Sequence, residues 1–282
     1  MKRSYSRIRR LASLSIGGAL LLCISLVRAA VPTPVVAGPI PSPDVAGSPE
    51  HNYTFFATDL NFRDLGYVEE EFFISGTANV YDTPNPGGGI GAIPTAYPVA
   101  NIVSTGHPYK TRIVVRRPND PTKYNGVAIL EWTNVTNNYD NEAFWYQTND
   151  YLIRSGFAHV AVSAQAAGID NAATGLKAWS PVRYGTLDVR DGGKVTGDAL
   201  AYDIFSQAAQ AVRSVPAVMG GLSTRIIIGA GTSQSAVISR RTSMRFIRCR
   251  TSSMLHFCRS VAKSSATTSI FRCSRCSANP ST

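Results

Sequence analysis

The sequence predicts an α/β fold with a mostly parallel sheet and flanking helices. Apolar stretches typical of fully buried strands recur at residues 126–132, 158–165 and 225–231. Stretches with helical spacing of apolar residues lie between them, and strands that alternate with helices form parallel sheets with right-handed crossovers. A stretch rich in aromatic and β-branched residues precedes all of them, so we expect a β-rich N-terminal segment.

The chain begins with a pattern typical of a secretory signal. A basic start precedes an apolar run of about 17 residues, and residues 1–30 contain no acid. Val27 and Ala29 are spaced as a V-x-A cleavage site, which predicts cleavage after Ala29 or Ala30 and a secreted or periplasmic protein. A retained membrane anchor is the alternative, because the run is at the short limit for a membrane span.

The distribution of charge argues against a nucleic-acid partner. The net charge is +10, but six of the 28 Lys and Arg residues lie in residues 1–30 and nine in residues 240–282. All 18 acids lie between these two ends, so the body of the protein is mildly acidic. We therefore expect a small-molecule substrate, no nucleic acid, and a membrane contact only through the signal peptide during export.

The elements of the body follow in order. Residues 31–50 are rich in Pro and Gly and indicate an extended leader. Gly66–Asp82 predicts paired strands, and "TRIVVRRP" predicts a strand that Pro118 ends. The buried strands named above alternate with two predicted helices, Phe144–Gly156, which a glycine ends, and Asp198–Ser214, with Asp198 as its cap.

A tight turn after the last apolar strand is a candidate active site. A nucleophile elbow places a serine on a sharp strand-to-helix turn, with small residues two positions before and after it, because the backbone is cramped there. In "IIIGAGTSQSA", Ser233 has the nucleophile's position, and Gly231 and Ser235 have the small positions. The N–H of Gln234 would then point at an oxyanion. An ordinary turn in which Ser233 only caps the helix is the alternative.

Longer motifs surround this turn. They are "NGVAILEWTNV", "VAVSAQAAGID", "LKAWSPVRYGTL", "GDALAYDIFSQAAQAVR" and "GTSQSA". Their order and spacing resemble a bacterial family of secreted alpha/beta-hydrolase-domain proteins, with motifs V-E-W-x-N-V, V-S-A-Q, L-K-x-W-D-P-x-R-Y-G, Y-D-I-F-S-Q and G-x-S-Q-S-A. The resemblance covers residues 35–237. It implies an alpha/beta-hydrolase-like fold and a serine hydrolase for an ester or amide, with Ser233 as the nucleophile. We expect no metal and no cofactor.

The loop after the strand at residues 126–132 corresponds in position to the loop that supplies a second backbone N–H to the oxyanion hole in such folds. We therefore expect Asn134 to belong to the oxyanion hole and Glu131 to support it. The alternative is that these two polar residues only hold the loop in place.

The rest of a catalytic triad is missing from the printed chain. In this fold the acid and the histidine follow the serine. No Asp or Glu follows Ser233, and the one histidine that does, His256, lacks an acid to orient it. Of the earlier histidines, His159 lies in a buried strand, where we expect a structural role. Residues 240–282 show no sustained period and nothing like a core, so we expect a disordered tail after a partial domain at residues 51–239.

A shifted reading frame accounts for these features. When "TSMRFIRCRTSSML" is back-translated and read two bases later, one permitted result is V-N-A-I-H-P-L-P-N-V-I-D-A, which resembles what the family shows after the elbow helix. The same offset turns "SIFRCSRCSAN" into N-I-P-V-L-K-V-L-S-E, a strand pattern that leads to an acid. The sequence therefore predicts that residues from near Val237 are out of frame, and that this chain is truncated and inactive.

Three alternatives remain open for the chain. Its tail cysteines could form a four-thiolate zinc site, although their spacing is uneven (Cys249, Cys258, Cys273 and Cys276). The Arg- and Ser-rich tail could bind RNA or an anionic surface. The whole protein could also be a non-catalytic binding or interaction protein on a hydrolase scaffold, for which an absent triad is the ordinary state.

Overall fold

The computed structural model describes residues 31–57, 59–81, 101–235, 254–260 and 267–271, the last two as backbone alone. In these residues one mixed sheet has the strand order β1-β2-β3-β5-β4-β6-β7-β8. Its strands are β1 (Val35–Ala37), β2 (Tyr67–Tyr81), β3 (Ile102–Pro118), β4 (Val127–Trp132), β5 (Ala158–Val162), β6 (Ile226–Thr232), β7 (Met254–Ser260) and β8 (Thr267–Phe271).

The described helices flank the sheet between its parallel strands. They are α1 (Ala143–Arg154), α2 (Ala166–Asp170), α3 (Leu176–Trp179), α4 (Pro181–Tyr184), α5 (Ala201–Ser214) and α6 (Pro216–Met219), and a 3₁₀ helix covers Pro121–Lys123. None of the helices in this part of the chain has the length and apolar content needed to cross a membrane.

The predicted parallel strands form the centre of the sheet. Strand β4 pairs in parallel with β5 on one side and β6 on the other, so that Leu130 lies beside both Val160 and Gly229. Leu130 and Val160 are fully buried in the main core, whereas Ile129 packs on the opposite face against Trp145. Both faces of these strands are therefore covered, as their unbroken apolar sequences predict. The predicted α/β fold class is confirmed.

The β-rich N-terminal segment pairs in the antiparallel direction. The predicted segment Gly66–Asp82 forms the single long strand β2, whose partners are β1 and β3. Strand β3 ends at Pro118 as predicted, and β3 joins the parallel strands through an antiparallel pairing with β5. The sheet is therefore antiparallel at its N-terminal edge and parallel from β5 to β7.

Two predicted helix boundaries have different outcomes. Helix α1 ends at Arg154, and Gly156 follows with a φ of +72°, where an added Cβ would meet the Lys123 carbonyl, so a glycine is required there. Asp198 was predicted to cap the long helix, but α5 begins only at Ala201. The Asp198 carboxylate instead accepts the N–H of Ala166, at 2.8 Å, where α2 begins.

A buried ionic network attaches the chain before β2, including the leader, to the sheet. The Glu71 carboxylate, on β2, accepts hydrogen bonds from Arg112 at 3.1 Å and from Arg183 at 2.7 Å. Arg112 also donates to the carbonyl of Phe55, and Arg183 to the carbonyl of Pro41. Burial without pairing would be very costly for such charges, so the network fixes the path of the leader across the sheet.

The predicted tail is described only in part. Residues 254–260 form β7, which pairs in parallel with β6, and residues 267–271 form β8, which pairs antiparallel with β7. The predicted disorder of the tail stays a prediction. The rest of residues 240–282 and the predicted signal peptide lie outside the described residues, so the domain boundaries and the change of frame remain predictions.

Candidate active site

Ser233 lies directly after the central strand β6. Its φ is +56°, in the left-handed region that residues other than glycine seldom adopt. The next two residues, Gln234 and Ser235, have helical backbone, and the Ser233 side chain is exposed at the C-terminal end of the parallel strands. α/β proteins bind their ligands at this edge of the sheet. The local geometry is therefore that of a sharp strand-to-helix turn with an accessible serine.

The buried Ser235 hydroxyl holds the turn closed. It accepts a hydrogen bond from the N–H of Thr232 at 2.9 Å and donates one to the carbonyl of the same residue at 2.9 Å. A glycine at this position would satisfy the need for a small residue but would make neither contact. Gly231, the other predicted small residue, lies within β6 beside Trp132.

Asn134 reaches the same turn from the loop after β4. Its side-chain amide donates to the Thr232 carbonyl at 2.8 Å, whereas its backbone N–H donates to the Asn141 carbonyl at 2.8 Å. The predicted role was that of an oxyanion donor, but this backbone N–H is already engaged. The geometry instead makes Asn134 a second group that fixes the residue before Ser233.

Glu131 lies on the face of the sheet that is covered by α1, and it caps that helix. Its carboxylate is fully buried and accepts the N–H groups of Phe144 at 2.8 Å and Trp145 at 3.0 Å, in the first turn of α1. Glu131 therefore supports the site only indirectly, by holding α1 and the loop that precedes it.

His159 is occupied by neighbours on both of its ring nitrogens. Because Arg116 can only donate, its contact with Nδ1 at 3.3 Å leaves the proton on Nε2, which donates to Glu131 at 2.8 Å. Burial, reinforced by the charge of Arg116, lowers the pKa of His159 to about 3. Burial raises the pKa of Glu131 to about 8, although the N–H donors of α1 oppose this shift. His159 is thus a neutral structural residue, as predicted, and does not serve as a base for Ser233.

Asp140 also holds the loop beside the turn, and the sequence analysis did not identify it. Its fully buried carboxylate accepts the hydroxyls of Thr133, at 3.0 Å, and of Ser163, and it lies 3.5 Å from a nitrogen of Arg112. These contacts join the ends of β4 and β5. A single acid in a polar loop gives no periodic signal, so the sequence offered no pattern by which to find it.

No group of three or more His, Cys, Asp or Glu residues in the described part of the chain could hold a metal ion. The side chains of the four tail cysteines lie outside that part.

Ser235→Ala is expected to lower the free energy of unfolding by about 1–2 kcal/mol, because the buried N–H and carbonyl of Thr232 both lose a partner. Urea denaturation followed by circular dichroism measures this change. Ser223→Ala is the matched control, since Ser223 is exposed and its loss should change stability by less than about 0.5 kcal/mol. Equal stability of the two variants would show that Ser235 does not hold the turn.

Comparisons with known proteins identify a matching family. The model of an alpha/beta hydrolase domain family matches residues 36–244. Among solved structures, the rice cell wall degrading esterase LipA from Xanthomonas oryzae is 12% identical over 63% of this chain and 38% of its own, with a TM-score of 0.30. A CE15 glucuronoyl esterase from Teredinibacter turnerae is 13% identical over 75% of this chain and 44% of its own, also at 0.30. The chain therefore spans less than half the length of either esterase. No curated protein matches it.

Proposed function

The chain belongs to the alpha/beta hydrolase domain family, and from that premise we propose that it is a serine hydrolase for small esters or amides, with Ser233 as its nucleophile. The observation that carries the proposal is the exposed Ser233 at a φ of +56° directly after β6. Such a backbone costs about 1–3 kcal/mol and persists only where the surrounding structure imposes it. Here we infer that the hydrogen bonds of Asn134 and Ser235 to the Thr232 carbonyl impose this backbone conformation.

The proposed chemistry is acyl transfer through Ser233. Its Oγ adds to the carbonyl carbon of the substrate while a base takes the hydroxyl proton, and the N–H of Gln234 donates to the oxyanion that forms. The intermediate then expels the alcohol or amine, which takes up that proton. Water hydrolyses the acyl group from Ser233 and completes the cycle.

We also propose that the base and its acid are encoded in a shifted frame, and that the printed residues from near Val237 onward are out of frame. Three features support this: the absence of any Asp or Glu after Ser233, the two stretches that gain family-like sequence in one common offset, and the end of the family match at residue 244. A signal peptide for export to the periplasm or beyond the cell completes the proposal. The same missing acid favours the alternative, a non-catalytic binding protein.

Sequencing the gene separates these two functions. A continuous downstream frame that encodes an acid and a histidine would support the enzyme. A stop codon in that frame, close to residue 237, would support the binding protein.

Ser233 in the chain as printed is expected to contribute little or no ester hydrolysis, because a serine without its base is a weak nucleophile. The measurement is release of p-nitrophenol from p-nitrophenyl acetate by purified residues 31–282. Its control is the Ser233→Ala variant, whose rate should be about the same. A rate in the printed chain far above that of the variant would contradict the missing triad.

A further inference from the structure

A second Ser, His and Asp come together far from β6 in the sequence. His107 Nε2 lies 2.7 Å from the Ser104 hydroxyl, and His107 Nδ1 lies 3.2 Å from a carboxylate oxygen of Asp191. The order of contacts is the one in which a histidine takes the proton of a serine while an acid holds the ring from behind. All three residues lie in the hairpin of β2 and β3 and the turn beside it.

An irregularity in β3 places Ser104 and His107 on one face. Residues three apart in a regular strand point to opposite faces. Here Ala78 pairs with His107 and Val80 with Ser104, so two residues of β3 lie opposite Asn79 alone. This is a β-bulge, and Gly106 within it has a φ of +79°. The extra residue shifts the alternation by one, and β-bulges re-aim side chains in this way beside active sites.

Asp191 is fixed to this hairpin by the backbone. Asp188, in the same turn, forms a two-way bridge with Lys110 of β3, with N–H to carbonyl distances of 2.7 and 2.8 Å. Asp191 itself has a φ of +51°. A non-glycine residue in this region reflects either turn chemistry or strain held for function. The bridge keeps the Asp191 carboxylate within reach of His107.

The charge state of Asp191 sets the tautomer of His107. Burial raises the pKa of Asp191, but the hydrogen bonds from His107 and Lys194 outweigh it and leave the pKa below its ordinary value. An ionised carboxylate can only accept, so Nδ1 of His107 carries a proton. When the ring is neutral, Nε2 is then the acceptor for the Ser104 hydroxyl.

Ser104 and His107 are partly exposed, whereas Asp191 is buried. The Ser104 side chain is partly exposed, whereas the side chain of His107 is 19% and that of Asp191 10% exposed. The group that would meet a substrate is thus partly accessible to solvent, and the acid that orients the ring is the most buried of the three.

We propose that Ser104 is a second nucleophile of this chain, with His107 as its base and Asp191 as the positioning residue, and that it reacts with small activated esters. The Ser104 oxygen bonds to the acyl carbon as its proton passes to His107 Nε2. The bond to the leaving alkoxide or phenoxide then breaks, and that group takes the proton. Water, deprotonated by His107, releases the acid and restores Ser104. The site is separate from Ser233 and does not depend on the proposed function.

The test is labelling of the full chain by a fluorophosphonate, with the modified residue located by tandem mass spectrometry. In the Ser233→Ala variant we expect the label on Ser104, and none there in Ser104→Ala. His107→Ala should slow the labelling about 100-fold, the scale of general-base catalysis. Thr105→Ala is the matched control, because Thr105 is an exposed neighbouring hydroxyl and its loss should leave the rate unchanged.

Two further measurements separate chemistry from structure. Ser104 in urea-unfolded wild-type chain should react at least 100-fold more slowly than in the folded chain. The ¹⁵N shifts of His107 should report the Nδ1–H tautomer, and this preference should be lost in Asp191→Asn. No label on Ser104 in a chain folded by circular dichroism, equal labelling in His107→Ala, or equal labelling of the unfolded chain would each overturn the proposal.

Discussion

Glu71→Gln is expected to lower the free energy of unfolding by about 3–5 kcal/mol, the cost of removing one partner from a buried ion pair. Glu71 is inaccessible to solvent, and so are its two cationic partners, Arg112 and Arg183. The neutral amide leaves two guanidinium groups in the interior with one fewer negative charge. It also places an N–H₂ group where both carboxylate oxygens now only accept, so some donors must face each other.

The adjacent residue in β2 provides the control for this prediction. Glu70 also pairs with an arginine, Arg117, at 2.6 Å, but its side chain is 27% exposed. Water compensates the loss of a partly exposed pair, so Glu70→Gln should cost no more than about 1 kcal/mol. Urea denaturation of both variants gives the comparison. Equal losses would mean that burial does not set the strength of these pairs.

The centre of the fold was predictable because its signals are local. Strands β4 and β6 were found from short apolar runs, and the end of α1 was found from the glycine that follows it. Each of these signals depends on only a few consecutive residues. The role of Asp198 was not predictable in this way. A carboxylate before a helix fits a cap equally well for that helix or for a neighbour, and here it caps α2, 32 residues earlier at Ala166.

In the candidate site, too, the residues with local signals were predicted and those defined by long-range contacts were not. Ser233 and its small neighbours were found because an elbow constrains consecutive residues. The function of Asn134 depends on a contact with Thr232, 98 residues away, and no local pattern distinguishes that contact from an oxyanion role. The cluster at Ser104 was missed for a similar reason. It needs a register shift in β3 and a turn 84 residues after His107, neither of which the sequence marks.

Ser233→Ala is expected to lower hydrolysis to the background set by Ser104 in a protein whose frame is restored from near Val237. Loss of a triad nucleophile lowers kcat by about 10⁶-fold in the best-studied serine protease, since the base and the oxyanion donor then have no nucleophile to assist. The φ of +56° at this position is set by the backbone contacts of Thr232, so the alanine variant should fold with the same turn. Its loss of activity would therefore come from the missing nucleophile and not from a change in the fold.

Two variants make this experiment specific to Ser233. Ser235→Ala loosens the turn but retains the nucleophile, so it should keep much of the turnover and of the fluorophosphonate label at Ser233. Ser104→Ala in the same protein removes any contribution from the hairpin cluster, so the turnover that remains belongs to the elbow. The expected order of turnover is the restored protein, then Ser235→Ala, then Ser233→Ala at a background that Ser104 alone sets. A Ser233→Ala,Ser104→Ala protein that still turns over ester at a comparable rate would place the active site elsewhere, because neither proposed serine would then be needed for acyl transfer.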